Sequence, residues 1–251
     1  FRSGIEAGPE TQVDLANVRL SNWVVKVTGV DNTGYKPGER LNITGCRFEG
    51  LSRLELRGCD SATVAGNRFD WTDPAPAPGP AVAAWSCTLT DYRQNGVSGA
   101  YPIGFDLDRE TDGSLTSNRV DGAATAYRLR GSPNAMLRAN AAANAGEGLR
   151  VVTGSGAVEG LAIRAAAKPV VLTESRLQLA DVRVAETPGD GPWFYLESAS
   201  VALLNVDCGT NRLNRSGKPM AGEPWATLMH YLVVRAPKAP AGSQVSVATA
   251  A

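Results

Sequence analysis

The stretch that decides the fold is Leu54–Phe69, LELRGCDSATVAGNRF, in which short apolar runs alternate with polar corners. The same pattern returns in Val82–Val97 as VAAWSCTLTDYRQNGV. The two stretches align without a gap, so that Cys59 stands opposite Cys87. An internal repeat of this kind indicates the architecture before any other signal in the chain.

Two columns of equivalent residues continue the repeat. The first column consists of Leu56, Ala84, Leu107, Leu129, Val151, Leu172 and Leu196, and its steps are 28, 23, 22, 22, 21 and 24 residues by subtraction. The second column consists of Val18, Cys46, Asn67, Asn95, Asn118, Asn140, Leu161, Val182 and Val206. Each copy contains short runs with the period-2 alternation typical of strands, and helical spacing is absent. One copy cannot bury its apolar side alone, so the copies are predicted to stack as a solenoid of parallel sheets.

This pattern resembles the right-handed parallel β-helix of the pectate-lyase-like group, which also includes many phage tailspikes. The resemblance covers about residues 13–208 and depends on the repeat and the asparagine column, not on a catalytic motif. It implies an all-β, single-stranded parallel β-helix of about eight turns in residues 1–208. Residues 209–251 are then expected to form a C-terminal cap and tail, with Ala226–Val234 as a final strand that covers the open end.

Composition restricts the choice of partners. The 251 residues carry a formal net charge of +0, which gives no electrostatic case for binding nucleic acid or a membrane surface. No apolar run approaches the length of a membrane span. The chain begins at Phe1 without a start methionine or a signal peptide, which predicts a mature form or an excised fragment.

The four cysteines do not form a zinc motif, because there is no CxxC spacing and only one histidine. Cys59 and Cys87 occupy the same column in successive turns. The expected stacking distance falls within the range that a disulfide needs. Two interpretations therefore stay open at this point, a disulfide between turns and a pair of buried free thiols.

Loops and corners are marked by their composition. Asp31–Arg40 and the proline-rich Asp70–Pro80 are predicted to be exposed insertions between turns. The asparagine column is predicted to be structural, because asparagine tolerates the left-handed conformation at a sharp corner. Stacked asparagine amides can also form hydrogen bonds along the axis.

Residues that alternate with the first column are predicted to face outward and to form an exposed strip. The strip contains an indole, carboxylates and guanidinium groups in consecutive turns. A sugar ring can stack on an indole, and arginine pairs well with uronate or sulfate groups. The candidate substrate-binding residues are Trp85, Arg57, Arg128, Arg150 and Tyr92.

Two carboxylates of the same strip are candidates for chemistry. Asp106 and Asp108 could act as acid and base in glycoside hydrolysis. Alternatively, they could hold Ca²⁺ while Arg130 acts in a lyase-like step. The competing interpretation is a ladder of opposite charges that only stabilises an exposed sheet. The resemblance adds no catalytic motif. Gly-His-Gly is absent, and Gly104–Asp108 shares only Gly-Phe-Asp with the Tyr-Gly-Phe-Asp-Pro-His segment of mannuronan-epimerase-like enzymes, a match that we interpret as coincidence.

Three functions are therefore considered. The first is an extracellular or virion-surface module that binds polysaccharide or a cell-surface glycan along an exposed sheet. The second is a polysaccharide lyase or glycoside hydrolase that acts on an acidic glycan. The third is a structural spike or adhesin module, whose signature would be a homotrimer. No cofactor is predicted apart from the Ca²⁺ of the lyase-like alternative, and no dedicated metal site is predicted.

Overall fold

The computed structural model describes residues 3–7, 12–30, 41–186, 191–206, 215–222, 224 and 226–229. These residues contain strands and no helix. In chain order the strands are β1 (Ser3–Ala7), β2 (Val13–Ala16), β3 (Arg19–Ser21), β4 (Trp23–Thr28), β5 (Leu41–Thr44), β6 (Arg47–Glu49), β7 (Arg53–Arg57), β8 (Thr63–Ala65), β9 (Arg68–Asp70), β10 (Val82–Trp85), β11 (Asp91–Arg93), β12 (Gly96–Ser98), β13 (Ile103–Asp108), β14 (Ser114–Thr116), β15 (Arg119–Asp121), β16 (Thr125–Arg130), β17 (Ala135–Arg138), β18 (Ala141–Ala143), β19 (Glu147–Val152), β20 (Ser155–Glu159), β21 (Ala162–Arg164), β22 (Lys168–Thr173), β23 (Arg176–Ala180), β24 (Arg183–Ala185), β25 (Phe194–Leu204), β26 (Arg215–Pro219) and β27 (Ala226–Met229).

The strands stack into three parallel sheets that surround one core. Sheet A contains β1, β4, β7, β10, β13, β16, β19, β22, the first part of β25, and β26. Sheet B contains β2, β5, β8, β11, β14, β17, β20, β23, the second part of β25, and β27. Sheet C contains β3, β6, β9, β12, β15, β18, β21 and β24. The chain is thus a parallel β-helix of about nine turns, which confirms the predicted fold class and adds one turn to the count.

The strand register confirms the first column of the repeat. Leu56 pairs with Ala84, and Ala84 pairs with Leu107. The later members pair in the same way up to Leu196. These side chains are buried. Each turn therefore contributes one residue to a continuous apolar row inside the tube, and the right-handed sense of the coil stays a prediction.

The corners of each turn are made by residues in the left-handed conformation, which favours glycine and asparagine. The residue before each asparagine of the second column has this conformation, as at Gly66 (φ 65°), Gln94 (φ 55°) and Ser117 (φ 57°). The expectation that the asparagines themselves adopt it is wrong, because none of the four has a positive φ. Their side chains are buried instead. The left-handed residue that makes the corner and the asparagine that follows it are thus two separate structural features.

The asparagine column forms a buried hydrogen-bond ladder, as predicted. The Oδ1 of Asn118 accepts from the backbone N–H of Asn95 (3.0 Å) and from its Nδ2 (2.9 Å). The Nδ2 of Asn118 donates to the carbonyl of Tyr92 (2.9 Å) and to Oδ1 of Asn140 (3.1 Å). Asn95 and Asn67 repeat this arrangement one and two turns earlier. The ladder satisfies backbone groups that the corner would otherwise leave buried without partners.

The insertions and the C-terminal part of the chain agree with the expectations only where the structure describes them. Most of Asp70–Pro80 is exposed, but Ala77 is buried and its N–H donates to the carbonyl of Ala100 (2.9 Å). The predicted loop Asp31–Arg40 lies outside the described residues, as does everything after Met229. Within residues 215–229, β26 and β27 both pair in parallel with β25, and the domain boundary at residue 208 stays a prediction.

The asparagine ladder predicts a site-specific loss of stability. We expect Asn118→Ala to lower the free energy of unfolding by about 3 kcal/mol, because buried partners on both neighbouring turns lose their hydrogen bonds. Asn42→Ala is the matched control, since it removes one exposed hydrogen bond to Asp14 and should cost about 0.5 kcal/mol or less. Urea denaturation followed by circular dichroism measures both. Equal losses in the two variants would contradict a stabilising ladder.

Candidate functional site

The outer face of sheet A carries two outward-facing columns that run along the tube axis. Strand pairing places Glu55, Ala83, Asp106, Arg128 and Arg150 in one column. The other column contains Arg57, Trp85, Asp108, Arg130 and Val152. The predicted strip therefore exists as a set of axial neighbours, one rung of about 4.8 Å apart.

Arg57 and Trp85 form a stacked pair in adjacent turns. The guanidinium carbon of Arg57 lies 4.7 Å from the centroid of the Trp85 ring. Arg57 is exposed, and no carboxylate of the described residues forms an ion pair with it. Stacking occupies the face of a guanidinium but not its N–H donors, which lie in the plane of the group. The pair therefore presents unused donors beside an aromatic ring.

A groove of about 450 Å³ lies beside this pair. It is lined by Thr28, Gly29, Arg57, Gly58, Trp85, Ser86 and Arg109. A second groove of about 410 Å³ adjoins it toward the N-terminal turns and is lined by Glu6, Ala7, Lys26, Thr28, Glu55 and Arg57. Thr28 and Arg57 line both grooves, so together they form one surface, here called the Trp85 surface.

Three charged residues of the Trp85 surface were missed by the sequence analysis. Lys26 and Glu6 precede Glu55 in the same outward column, but the column had been followed only from residue 54 onward. Extending it two turns toward the N terminus would have found both. Arg109 lies at a corner with φ 54°, outside any strand, where alternation gives no signal.

Asp106 lies under two arginines and not on the open surface. Arg128 forms a two-pronged ion pair with its carboxylate at 2.8 and 2.6 Å, and Arg130 approaches it at 3.5 Å. Only 3% of the Asp106 side chain is exposed. Arg130 also pairs with Asp108 at 3.1 Å. The structure brings the three proposed catalytic residues together, but as a closed ion-pair cluster, and their role in catalysis stays a prediction.

Two other candidate binding residues are differently placed. Arg150 forms an ion pair with Glu147 at 3.1 Å. Tyr92 is completely buried, and its hydroxyl donates to Oε2 of Glu110 at 3.3 Å. Tyr92 continues the inward row of Val64 and Leu115, so it cannot contact a ligand on the outer surface. This corrects its assignment as a binding residue.

A buried polar cluster inside the tube was not foreseen. Glu110 is 1% exposed. It stands one turn after Cys87 and two turns after Cys59, and these three residues are here called the corner column. The residues that directly follow them form parallel bridges with one another, which shows that the three are in register. Burial raises the pKa of Glu110 to about 8, although the neighbouring Thr90 hydroxyl and the hydrogen bond from Tyr92 oppose the shift. The signal in the sequence was a carboxylate 23 residues after Cys87, at the period of the repeat.

Within the described ranges, no group of three or more His, Cys, Asp or Glu side chains could hold a metal ion. Asp106 and Asp108 face arginines that occupy the positions a cation would take. The binding of Ca²⁺ in the lyase-like alternative stays a prediction. The described part of the chain also contains no helix that is long and apolar enough to cross a membrane.

Comparison with known proteins shows a similarity of fold and nothing further. No known family and no curated protein matches the sequence. Among solved structures, the chain is similar to Pantoea stewartii WceF, a glycan biofilm modifying enzyme with a bacteriophage tailspike-like parallel β-helix fold. The identity is 13%, the coverage is 92% of this chain and 35% of that chain, and the TM-score is 0.42.

Two further structures show similar likeness. The catalytic domain of a GH87 α-1,3-glucanase in complex with nigerose has 10% identity over 88% of this chain and 51% of that chain, with a TM-score of 0.44. HetL, a pentapeptide repeat protein from the cyanobacterium Nostoc, has 9% identity over 85% and 94% of the two chains, with a TM-score of 0.31. The chain thus spans about a third and about half the length of the first two proteins.

The ion-pair cluster predicts a structural cost for removing Asp106. We expect Asp106→Asn to lower the free energy of unfolding by about 1–3 kcal/mol, because the buried end of the cluster loses its charge. Asp108→Asn should cost less than about 1 kcal/mol, since its side chain is 20% exposed. Chemical denaturation at pH 7 measures the difference. An Asp106→Asn variant as stable as the parent would show that the pair contributes no net stability.

Glu110 predicts a pH dependence of stability. Its pKa in the folded chain is about 8, above the 4.5 of an unperturbed glutamate, so the folded state binds more protons between these values. Stability should therefore fall as pH rises from 5 to 6.5, by about 1.4 kcal/mol per pH unit from this group. Glu110→Gln should remove that part of the slope. Parallel slopes in parent and variant, measured by urea denaturation, would contradict the assignment.

Proposed function

We propose that the chain binds polysaccharide along the outer face of sheet A, at the Trp85 surface, as an extracellular or virion-surface module. The observation that carries the proposal is the stacked pair of Arg57 and Trp85 above an open groove. Most other arginines of this face use their donors on carboxylates of the chain. Arg57 has no such partner among the described residues, so its donors remain available to a ligand.

The chemistry of the surface suits a sugar chain that carries carboxylate or sulfate groups. A planar guanidinium can bind either group through two parallel hydrogen bonds. Arg109 lines the same groove and adds a second positive charge. The indole edge and the Thr28 hydroxyl offer an apolar contact and a polar contact to the sugar ring itself. The residues that line the two grooves come from successive turns of the tube, which suits an extended polymer.

Catalysis by this face has weaker support. A general acid or base must reach the bond that it acts on. Asp106 is covered by Arg128 and Arg130, and Asp108 pairs with Arg130 and with Arg109 at 3.6 Å. The contacts of these residues therefore favour the charge-ladder interpretation. The lyase or hydrolase and the spike or adhesin module remain the alternatives.

The proposal is tested by affinity electrophoresis or calorimetry with polygalacturonate, alginate and chondroitin sulfate, with dextran as the neutral comparison. We expect Trp85→Ala and Arg57→Gln each to weaken binding at least about tenfold. Arg68→Gln is the matched control: Arg68 is an exposed arginine on sheet C that has no ion pair among the described residues.

The outcomes separate a specific site from general charge attraction. Equal losses in Arg57→Gln and Arg68→Gln would show that binding depends only on net charge. Binding to none of the polymers would overturn the proposal. Asp106→Asn should bind as tightly as the parent, because its carboxylate is not exposed to a ligand.

A further inference from the structure

Cys59 and Cys87 lie on top of one another in adjacent turns, directly behind the Trp85 surface. Each follows a residue of the stacked pair by two positions. The thiol of Cys59 donates to the carbonyl of Arg57 at 3.5 Å, and the thiol of Cys87 donates to the carbonyl of Trp85 at 3.6 Å. Both cysteines are free and 1% exposed.

The backbone holds the two residues in register. The N–H of Thr88 donates to the carbonyl of Cys59 at 2.9 Å, and Asp60 and Thr88 form a parallel bridge. One rung of about 4.8 Å lies within the Cα separation that disulfides allow. The Cβ atoms must approach slightly to bond, and the corner position permits this because neither residue belongs to a strand.

The electrostatics of the pair favour reaction of one thiol before the other. The adjacent Cys87 thiol lowers the pKa of Cys59 to about 7. The adjacent Cys59 thiol, together with burial, raises the pKa of Cys87. Cys46 is a natural comparison within the chain, because burial raises its pKa and its neighbours in the column are Val18 and Asn67.

We propose that Cys59 and Cys87 form an oxidation site, at which a low-molecular-weight disulfide such as oxidised glutathione converts the stacked thiols into a disulfide between turns. The Cys59 thiolate attacks one glutathione sulfur and releases a glutathione thiolate. The Cys87 thiolate then attacks the Cys59 sulfur and releases the second glutathione. Two electrons pass to the glutathione disulfide, and the two thiol protons end on the released glutathione or in solvent.

The cross-link would close the turn of the helix that carries the Asp70–Pro80 insertion. Cys59 and Cys87 stand 28 residues apart, against 21 to 24 residues for most turns, so this turn has a long loop to restrain. Closing such a loop removes conformational entropy from the unfolded chain. The inference is independent of the proposed function, because it depends only on the stacking of the two thiols.

The test uses the full chain, reduced and then incubated with oxidised glutathione, both as the folded protein and during refolding from urea. Tryptic digestion without reduction should yield peptide 58–68 joined to peptide 69–93, with the loss of two hydrogens. Cys46 should stay open to alkylation after unfolding. The melting temperature should rise by about 5 °C or more and return to its starting value with dithiothreitol.

Cys59→Ser and Cys87→Ser are the control variants, and neither should show the linked peptides or the rise in melting temperature. The refolding arm gives the oxidant access to thiols that the folded tube encloses. The proposal is overturned if both thiols remain free after refolding with oxidised glutathione. It is also overturned if the linked chain melts at or below the temperature of the reduced chain.

Discussion

The spacing between successive turns is the constraint on which the rest of this structure depends. Parallel strands can form their hydrogen bonds only at one separation, about 4.8 Å, and every turn must repeat it. A turn has no partners except the turns before and after it. Residues far apart in sequence, such as Leu56 and Leu107, therefore become close neighbours in a row. Insertions are tolerated only where they leave the tube, as Asp70–Pro80 does.

The same spacing places like side chains on top of one another, and the chain resolves this differently inside and outside. Inside, asparagines stack because each amide both donates and accepts, so the row from Asn67 to Asn140 satisfies itself. Outside, stacked arginines would repel one another, and carboxylates in the same or the adjacent turn relieve this. Arg57 on sheet A is an exception, since it stacks on Trp85 and has no carboxylate partner among the described residues.

The corner column differs from the asparagine column, because its side chains do not satisfy one another's hydrogen-bonding groups. Cys59, Cys87 and Glu110 follow one another inside the tube, where a charge is poorly solvated. Burial therefore keeps Glu110 protonated at pH values where an exposed glutamate would be ionised. The Trp85 surface on one side of this corner and the buried polar groups on the other are separated by a single layer of backbone. Oxidation of the two thiols would remove the hydrogen bonds that they donate to the carbonyls of Arg57 and Trp85.

The amino-acid sequence by itself determined the parallel β-helix, the inward column from Leu56 to Leu196 and the exposed strip, because all three follow from a period that can be counted. It also placed Trp85 and Arg57 side by side, since strand register converts that period into contact. The tertiary structure alone decided that Asp106 is covered and that Arg109 joins the Trp85 surface. Periodicity indicates whether a side chain points into or out of the tube. The exposure of an outward side chain depends on which neighbouring side chains cover it. Corner residues follow no alternation, so periodicity gives no indication of their orientation.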